Sequence, residues 1–331
     1  MARLVAAFVA AVPRLRFDFH LASLKGLFPQ LRRASILAAW SGAEPRLAHA
    51  SDLSTNPAPN LLTQLVTFFD DFAPHYDEWA HGFHRKAAER LVALAHPTPG
   101  EHALDVGCGT GLVTRALAHN VGRRGSVVGV DVTPGMLEVA RQKTPANVQY
   151  LYMPGERLIF RDAAFDLVTM GLALAYFVDA RAALAEAHRV LRSGGRLAVS
   201  CQRRALATDA QEEFFEILDR MRVDHPFMRL PRHDDERGSL GEPEVLTRQL
   251  YEVGFDEVKI ATMVTGGRPK NAHEWVELMK GAGPLPYSLL STMGPASRRR
   301  LEGELDEVMG RLDEDAFRFH IAVTFALGYR D

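Results

Sequence analysis

The sequence predicts an α/β fold, a doubly wound and mostly parallel sheet with its ligand crevice at the carboxyl ends of the strands. Two observations carry this. From residue 101 onward, short apolar runs alternate with segments of helical period. Among them, Glu101-His-Ala-Leu-Asp-Val-Gly-Cys-Gly-Thr-Gly111 reads as a strand, Ala103 to Val106, that breaks into a glycine-rich turn and continues as a helix from about Leu112. With 331 residues and 47% hydrophobic content, the chain can bury one large core with additions, or a core and a small second lobe.

The net charge of −2 and a pI near 6.7 carry no bulk electrostatic signature of a nucleic-acid partner. Two cysteines, Cys108 and Cys201, lie far apart without metal-ligand spacing. This pattern fits a reducing cytoplasm and argues against a disulfide framework or a zinc site. No apolar run approaches the roughly 20 residues of a membrane span.

Residues 1–58 differ from the rest. Arg3, Arg14, Arg16, Lys25, Arg32 and Arg33 face only Asp18 before Glu44, with apolar residues between them. A basic amphipathic surface segment, an arginine-rich targeting segment and an over-long start all fit this composition. Asp52 to Asn60 reads as a linker. The first fifty or so residues are expected to be dispensable for chemistry. Asn60 to Ala95 reads as two helices. Leu61, Leu62, Leu65, Phe68, Phe69 and Phe72 form the apolar face of the first, and Ala88, Leu91, Val92 and Leu94 that of the second, with Phe68 to Asp77 joining them.

Gly107, Gly109 and Gly111 lack a Cβ, so their turn can take left-handed dihedrals and let a ligand lie against the backbone. A dinucleotide-binding turn needs its third small residue one place later, where Leu112 stands. Asp105, just before the turn, would repel a pyrophosphate and welcome a cation. Ser126 to Asp131 is the next strand, ending in a carboxylate about twenty residues past the glycines, with two acceptors that suit a vicinal diol. Thr133 as N-cap and Pro134 at the first position start a helix carrying Met136, Leu137 and Ala140. Further strands are read at Asn147–Tyr152, Phe165–Gly171 and Arg196–Cys201, with a helix over 179–191 that Gly194-Gly195 is expected to end. Asp166 is expected to bind backbone at its strand start, and His188 to pack. Beyond Gln202 come helices at 211–221, 271–280 and 296–311, a helix ending at Gly254, and strands at 255–260 and 321–327. The polar loop His225 to Gly241, with His225, His233, Asp234 and Asp235, matches no metal-ligand spacing.

Together these features resemble the class I S-adenosylmethionine (SAM)-dependent methyltransferases. The glycine turn is similar to their motif I, E/D-x-G-x-G-x-G, and Phe68-Phe-Asp-Asp-Phe-Ala-Pro-His-Tyr-Asp77 resembles the F-x-x-x-A-x-x-Y-D segment of methyltransferases akin to those of ubiquinone and menaquinone biosynthesis. Ala163-Ala-Phe-Asp-Leu-Val and Arg189-Val-Leu-Arg-Ser-Gly-Gly-Arg-Leu follow that family's s-F-D-x-V and R-V-L-x-P-G-G-x-L, with Ser193 in place of proline. The resemblance implies a Rossmann-like sheet of seven strands, the last antiparallel, with N-terminal and C-terminal helical additions over 60–95 and 202–315.

It further implies that S-adenosyl-L-methionine contacts Asp105, Gly107, Cys108, Gly109, Gly111, Asp131, Val132, Met136, Gly155, Glu156, Met170 and Gly171. Leu172 to Tyr176 would then line the acceptor side, while the segment ending at Tyr76 folds over the cofactor mouth. Where the family carries an adenine-binding aspartate, this chain has Pro154, which has no side-chain acceptor and no N–H. Adenine would then rely on backbone groups, on Glu156 or on apolar contacts. Methyl transfer from a sulfonium asks mainly for alignment and exclusion of water, so no side chain is obliged to act as acid or base. Where the acceptor is a phenol or an acidic carbon, Tyr76, Tyr176 or His75 could supply or orient a base. The expected activity is methylation of a small, apolar acceptor such as a quinone, polyketide or lipid. Against it stand a non-catalytic binding or assembly subunit, which Pro154 favours, and an NAD-linked oxidoreductase, which Leu112 disfavours.

Overall fold

The computed structural model describes residues 61–203, 209–221, 239–312 and 314–331. The readings for residues 1–58, for the linker at 52–60 and for residues 225–238 of the polar loop lie outside the described residues. Helix α1 (Leu61–Tyr76) buries Phe68, Phe72 and Ala73 along one face and carries Pro74 in its last turn. The segment Phe68 to Tyr76 thus belongs to α1 itself, with Asp77 just beyond its end, where the sequence reading had the segment join two helices. A proline this close to the C-terminus removes a single intrahelical hydrogen bond, so the helix absorbs it.

Helix α2 (Trp79–Ala95) starts with three consecutive left-handed residues, Ala80, His81 and Gly82, at φ 47°, 58° and 73°. Two of them bear a Cβ, a conformation that costs about 1–2 kcal/mol per residue. The rest of α2 is regular and buries Phe83, Ala87, Ala88, Leu91, Val92 and Ala95.

The core follows in alternating order: β1 (His102–Val106), α3 (Leu112–Val121), β2 (Ser126–Asp131), α4 (Pro134–Arg141), β3 (Val148–Tyr152), β4 (Phe165–Gly171), a 3-10 turn (Leu174–Tyr176), α5 (Ala180–Val190) and β5 (Leu191–Gln202). Then come α6 (Asp209–Arg220), α7 (Pro243–Glu252), β6 (Asp256–Gly267), α8 (Ala272–Lys280), α9 (Pro284–Thr292), α10 (Pro295–Arg311), a second 3-10 turn (Glu314–Phe317) and β7 (Phe319–Tyr329). The sheet order is β3-β2-β1-β4-β5-β7-β6. Strands β1 to β5 pair in parallel, and β7 runs antiparallel between β5 and β6. The seven strands, with the last one reversed, are those the resemblance implies.

Alternation along β1 explains the two faces. Ala103 joins the layer with Leu91, Leu117 and Phe325, under α2 and α3. Leu104 and Val106 join the layer with Leu184, Leu246 and Leu250, under α5 and α7. A third cluster, around Phe214, Trp275, Leu301 and Leu305, unites α6, α8 and α10 into a helical addition. Asp179 caps α5 through the Ala182 N–H at 2.9 Å, and Asn271 caps α8 through the Glu274 N–H at 2.9 Å. Asp166 accepts the His102 N–H at 2.6 Å, the backbone role expected of it.

Three boundaries differ from the sequence reading. Gly194-Gly195 do not end α5, which stops at Val190; they form a bulge inside β5, where Leu191 opposes Phe165 and Arg196 opposes Leu167. Gly194 takes φ 73°, and its N–H donates to the Arg330 carbonyl at 2.7 Å, so the extra residues are pinned by β7's end. Strand β6 runs on to Gly267 because β7 offers it a partner along its whole length. Helix α9 is a further addition, started by Pro284 after Gly283.

Candidate active site

The glycine turn takes φ of 71°, 52° and 83° at Gly107, Gly109 and Gly111. Asp131, at the end of β2, bends its carboxylate back onto this turn. Oδ2 accepts the Gly109 N–H and Oδ1 the Thr133 N–H, each at 2.8 Å. Burial raises its pKa, and those N–H groups oppose the rise. The Thr133 hydroxyl and the Val132 N–H also act on this carboxylate, which thus sits in a ring of donors at the turn. A Cβ on Gly109 would meet nothing nearer than the Met136 sulfur at 4.0 Å, so this position lies open.

The other two glycines serve the protein itself. A Cβ on Gly107 would lie 2.4 Å from that of Ala173, and one on Gly111 would lie 2.3 Å from the Tyr150 hydroxyl. Sequence reading treated all three as room for a ligand, because spacing does not say which way each missing Cβ would point.

Asp105 is a correction. It is 1% exposed, and both oxygens are taken within the protein, by the hydroxyls of Thr114 at 2.6 Å and Thr169 at 2.7 Å. Alternation turns it toward α3, so it braces the turn from below instead of presenting a carboxylate to a cation. Burial pushes its pKa up to about 6, against the pull of the two hydroxyls. Met170, near the end of β4, is fully buried in the α5 layer. Cys108 contributes its backbone N–H to the Val130 carbonyl at 3.0 Å, while its thiol packs with Leu137, Ala140 and Tyr150. Burial, then the charges of Asp131 and Asp105, raise that thiol well above its ordinary pKa.

The remaining predicted residues surround the turn. Met136 is buried beside Gly109, Val132 is half-buried next to Asp131, and Gly171 ends β4 with Val113 3.0 Å from where its Cβ would be. Gly155 sits against Val106 and Phe177, and Glu156 accepts the Val178 N–H at 2.9 Å. Glu156 is thereby engaged with the loop after the 3-10 turn, next to an exposed Pro154.

Helix α1 lies over this cleft and is held at two points, one mid-helix and one just past its C-terminus. Asp70 accepts the Gly135 N–H at 2.6 Å, at the N-terminus of α4. Asp77, just past α1, accepts the Thr110 hydroxyl at 2.5 Å and lies 3.8 Å from Arg115, which also donates to the Thr110 carbonyl at 2.6 Å. Sequence reading missed Asp70, Thr110 and Arg115. Each binds across more than thirty residues or to a backbone group, which no local pattern reports.

Beneath α1 is a hollow of about 60 Å³ lined by aromatic side chains, among them Phe68, Phe69, Phe72, Tyr76, Trp79 and His84, and closed by Leu172, Cys201, Gln202 and Gly281–Gly283. Tyr176 meets Phe69 edge-on at 5.0 Å. Tyr76 is half-buried; burial, then Tyr176 and the carboxylates of Asp131, Asp77 and Asp105, raise its pKa, so it stays a phenol. His75 is exposed and outside the hollow, which removes it as a candidate base there. Leu172 takes φ 55° at the end of β4, its N–H held by the Ser200 carbonyl and hydroxyl, each at 3.0 Å. Left-handed geometry at a branched side chain is strain stored beside the hollow. Among the described residues, no three His, Cys, Asp or Glu side chains are grouped to hold a metal ion.

Residues 104–199 match the family described as "Methyltransferase domain". The ubiquinone/menaquinone biosynthesis C-methyltransferase UbiE of Hydrogenovibrio crunogenus is 30% identical over 232 residues, covering 63% of this chain and 89% of that protein. The chain belongs to the class I SAM-dependent methyltransferases. SAM is the methyl donor of this family, and the open Gly109 beside the Asp131 carboxylate is compatible with it. The aklanonic acid methyltransferase DauC of a Streptomyces species is 35% identical over 139 residues, covering 41% of this chain and 63% of that methyltransferase. The chain spans less than two thirds of the length of several curated relatives, DauC among them. The fold matches a Haemonchus contortus phosphoethanolamine N-methyltransferase 2 with a TM-score of 0.52 at 17% identity, over 84% of this chain and 62% of that one.

Proposed function

We propose that this methyltransferase methylates a small, mostly apolar acceptor, on carbon or oxygen, with planar quinones and polyketides as the favoured class. The observation that carries the reading is the aromatic lining of the hollow between α1 and the ends of β4 and β5, which at about 60 Å³ must widen to admit such an acceptor. Aromatic walls favour a flat acceptor through stacking and edge contacts. The names of UbiE and DauC, which refer to quinone biosynthesis and to aklanonic acid, are consistent with this class.

In this reading Asp131 holds the ribose hydroxyls, and the backbone of Gly107 to Gly111 with Val132 and Met136 lines the nucleoside. Gly155 and Glu156 border adenine, and α1 with α8 and α9 roofs the acceptor. Residues 101–200 form the cofactor half, and the helical additions form the acceptor side. SAM supplies an electrophilic methyl group, and the chain's own task is to align the acceptor and exclude water.

The test is transfer of labelled methyl from SAM to a panel of naphthoquinols, anthracyclinone-like polyketides and long-chain amines, with mass-spectrometric location of the label. Transfer to the planar compounds over the amines is the expected result, and the reverse order removes the acceptor class. Pro154 favours a second reading, a binding subunit that retains the fold. SAM bound in calorimetry with no turnover across the panel would select it.

A further inference from the structure

His84 stands early in the regular part of α2, stacked on Tyr76 with ring centroids 3.7 Å apart and planes 9° from parallel. Its Nδ1 lies 2.7 Å from the Tyr76 backbone carbonyl. A carbonyl only accepts, so Nδ1 carries the hydrogen, and a neutral imidazole then keeps its lone pair on Nε2. Nε2 makes no hydrogen bond with any described residue, and His84 is part of the hollow's wall. A histidine that only packs has reason to satisfy both nitrogens; this one, at the wall of the hollow, satisfies one and leaves the other without a partner among the described residues.

The imidazole meets the rings of Tyr76, Trp79 and Phe83, and the hollow it helps to line is completed by Tyr176 of the 3-10 turn, Cys201 and Gln202 of β5 and the segment Gly281–Gly283. None is charged at neutral pH; burial pushes the Cys201 thiol up to about 12 and the Tyr76 phenol higher still. Burial also lowers the His84 pKa to about 4, with the Tyr76 carbonyl opposing, so the ring stays neutral through the physiological range. Tyr76, stacked on the imidazole, also feels the charges of Asp131, Asp77 and Asp105. Tyr76 and Tyr176, as phenols, can donate a hydrogen bond but cannot take a proton. Sequence reading missed His84 because nothing in its spacing separates it from His75 or His81.

We infer that Nε2 of His84 receives the proton the methyl acceptor gives up, so that the acceptor carries an acidic O–H or an enolisable C–H. The inference rests on the methyl-transfer reading above. As the bond between acceptor and methyl carbon forms, the methyl–sulfur bond breaks with its electron pair remaining on sulfur. The acceptor's O–H or C–H pair becomes available for that new bond, and the proton passes to Nε2. Burial disfavours the imidazolium, which returns the proton to water once product leaves.

The test pairs a structural readout with a kinetic one. Nitrogen-15 NMR of histidine-labelled full-length protein should show Nε2 of His84 unprotonated, and its signal should move on saturation with 2-naphthol in the presence of S-adenosylhomocysteine. In labelled-methyl assays, His84→Asn keeps a donor for the Tyr76 carbonyl and removes the Nε2 lone pair. It should lose about 10²- to 10⁴-fold in rate with 2-naphthol and stay within a few-fold of wild type with 4-nitrophenol, which is already ionised at mildly alkaline pH. A protonated Nε2, a signal that 2-naphthol leaves in place, or equal losses with both phenols would each overturn the assignment. Calorimetry of the wild type with SAM separates the two failures. Absent SAM binding sinks the methyl-transfer reading, whereas SAM binding with an unmoved Nε2 signal sinks only the role of His84.

Discussion

At the scale of single residues, the site is built from carboxylates with different tasks. Asp131 keeps acceptor capacity facing the glycine turn, so Asp131→Ala should weaken SAM binding by about 10- to 100-fold. That follows from the ~1.5–3 kcal/mol of a hydrogen bond to a charged group, and calorimetry measures it directly. Asp105 is sealed between two threonine hydroxyls with its folded pKa raised to about 6. For an acid whose pKa rises on folding, the folded state holds the proton more tightly than the unfolded chain does. The associated stability is therefore complete below the ordinary aspartate pKa and is lost as pH climbs through about 6. Urea unfolding should show this group favouring the fold by about 2 kcal/mol more at pH 4 than at pH 7. Asp105→Asn should remove that slope. Both aspartates were legible as site positions in the sequence, yet their orientations were not. Strand alternation placed Asp105 on the α3 face, and the direction of each absent Cβ decided that Gly109 opens to the cleft while Gly107 and Gly111 close on Ala173 and Tyr150.

At the scale of elements, α1 is a roof fastened at two points, Asp70 to the α4 N-terminus and Asp77 to Thr110 and Arg115. Asp70→Ala should cost about 1 kcal/mol of local docking. In hydrogen-exchange mass spectrometry this appears as roughly fivefold faster exchange along α1, with α3 and β4 unchanged. The joint between α2 and α8 is tighter. Trp79 Nε1 donates to the Leu278 carbonyl at 3.2 Å, and a Cβ on Gly281 would fall 2.0 Å from that nitrogen. Gly281→Ala should therefore lower stability by about 1–3 kcal/mol in denaturant titration, as overpacking does. Helices and strands with a clear period, such as α3, β2 and α5, could be read from the chain. The Gly194-Gly195 bulge and the far end of β6 could not, since both exist because β7, more than fifty residues away in sequence, pairs beside them.

At the scale of the molecule, the topology brings β1, β2 and β4 together so that the glycine turn, Asp131 and Leu172 all emerge at the carboxyl ends of the strands. The opposite end of the strands is secured by Arg196. Its guanidinium is paired with Glu101 at 2.8 and 3.0 Å and donates to the carbonyls of Ala95 and His96, with both charged side chains nearly sealed from solvent. Arg196→Met would leave Glu101 unpaired and should destabilise the fold by about 3–5 kcal/mol in urea titration, while the KM for SAM is unchanged because the site lies at the other end of the strands. Order of elements and overall architecture followed from the sequence because parallel sheets impose apolar runs and glycine turns. The roof, its fastenings and the histidine beneath it did not, because they arise from contacts that the periodicity of any one segment leaves unspecified.

The reversed stretch Ala80-His81-Gly82 sets how the Tyr76 ring meets the His84 ring, since everything before it winds about a different axis from everything after it. Removing or adding one residue there would swing the upstream aromatic row by about 100° relative to the imidazole. The length of this joint is therefore fixed: a change of a single residue would dismantle the stacked pair while leaving every strand where it stands.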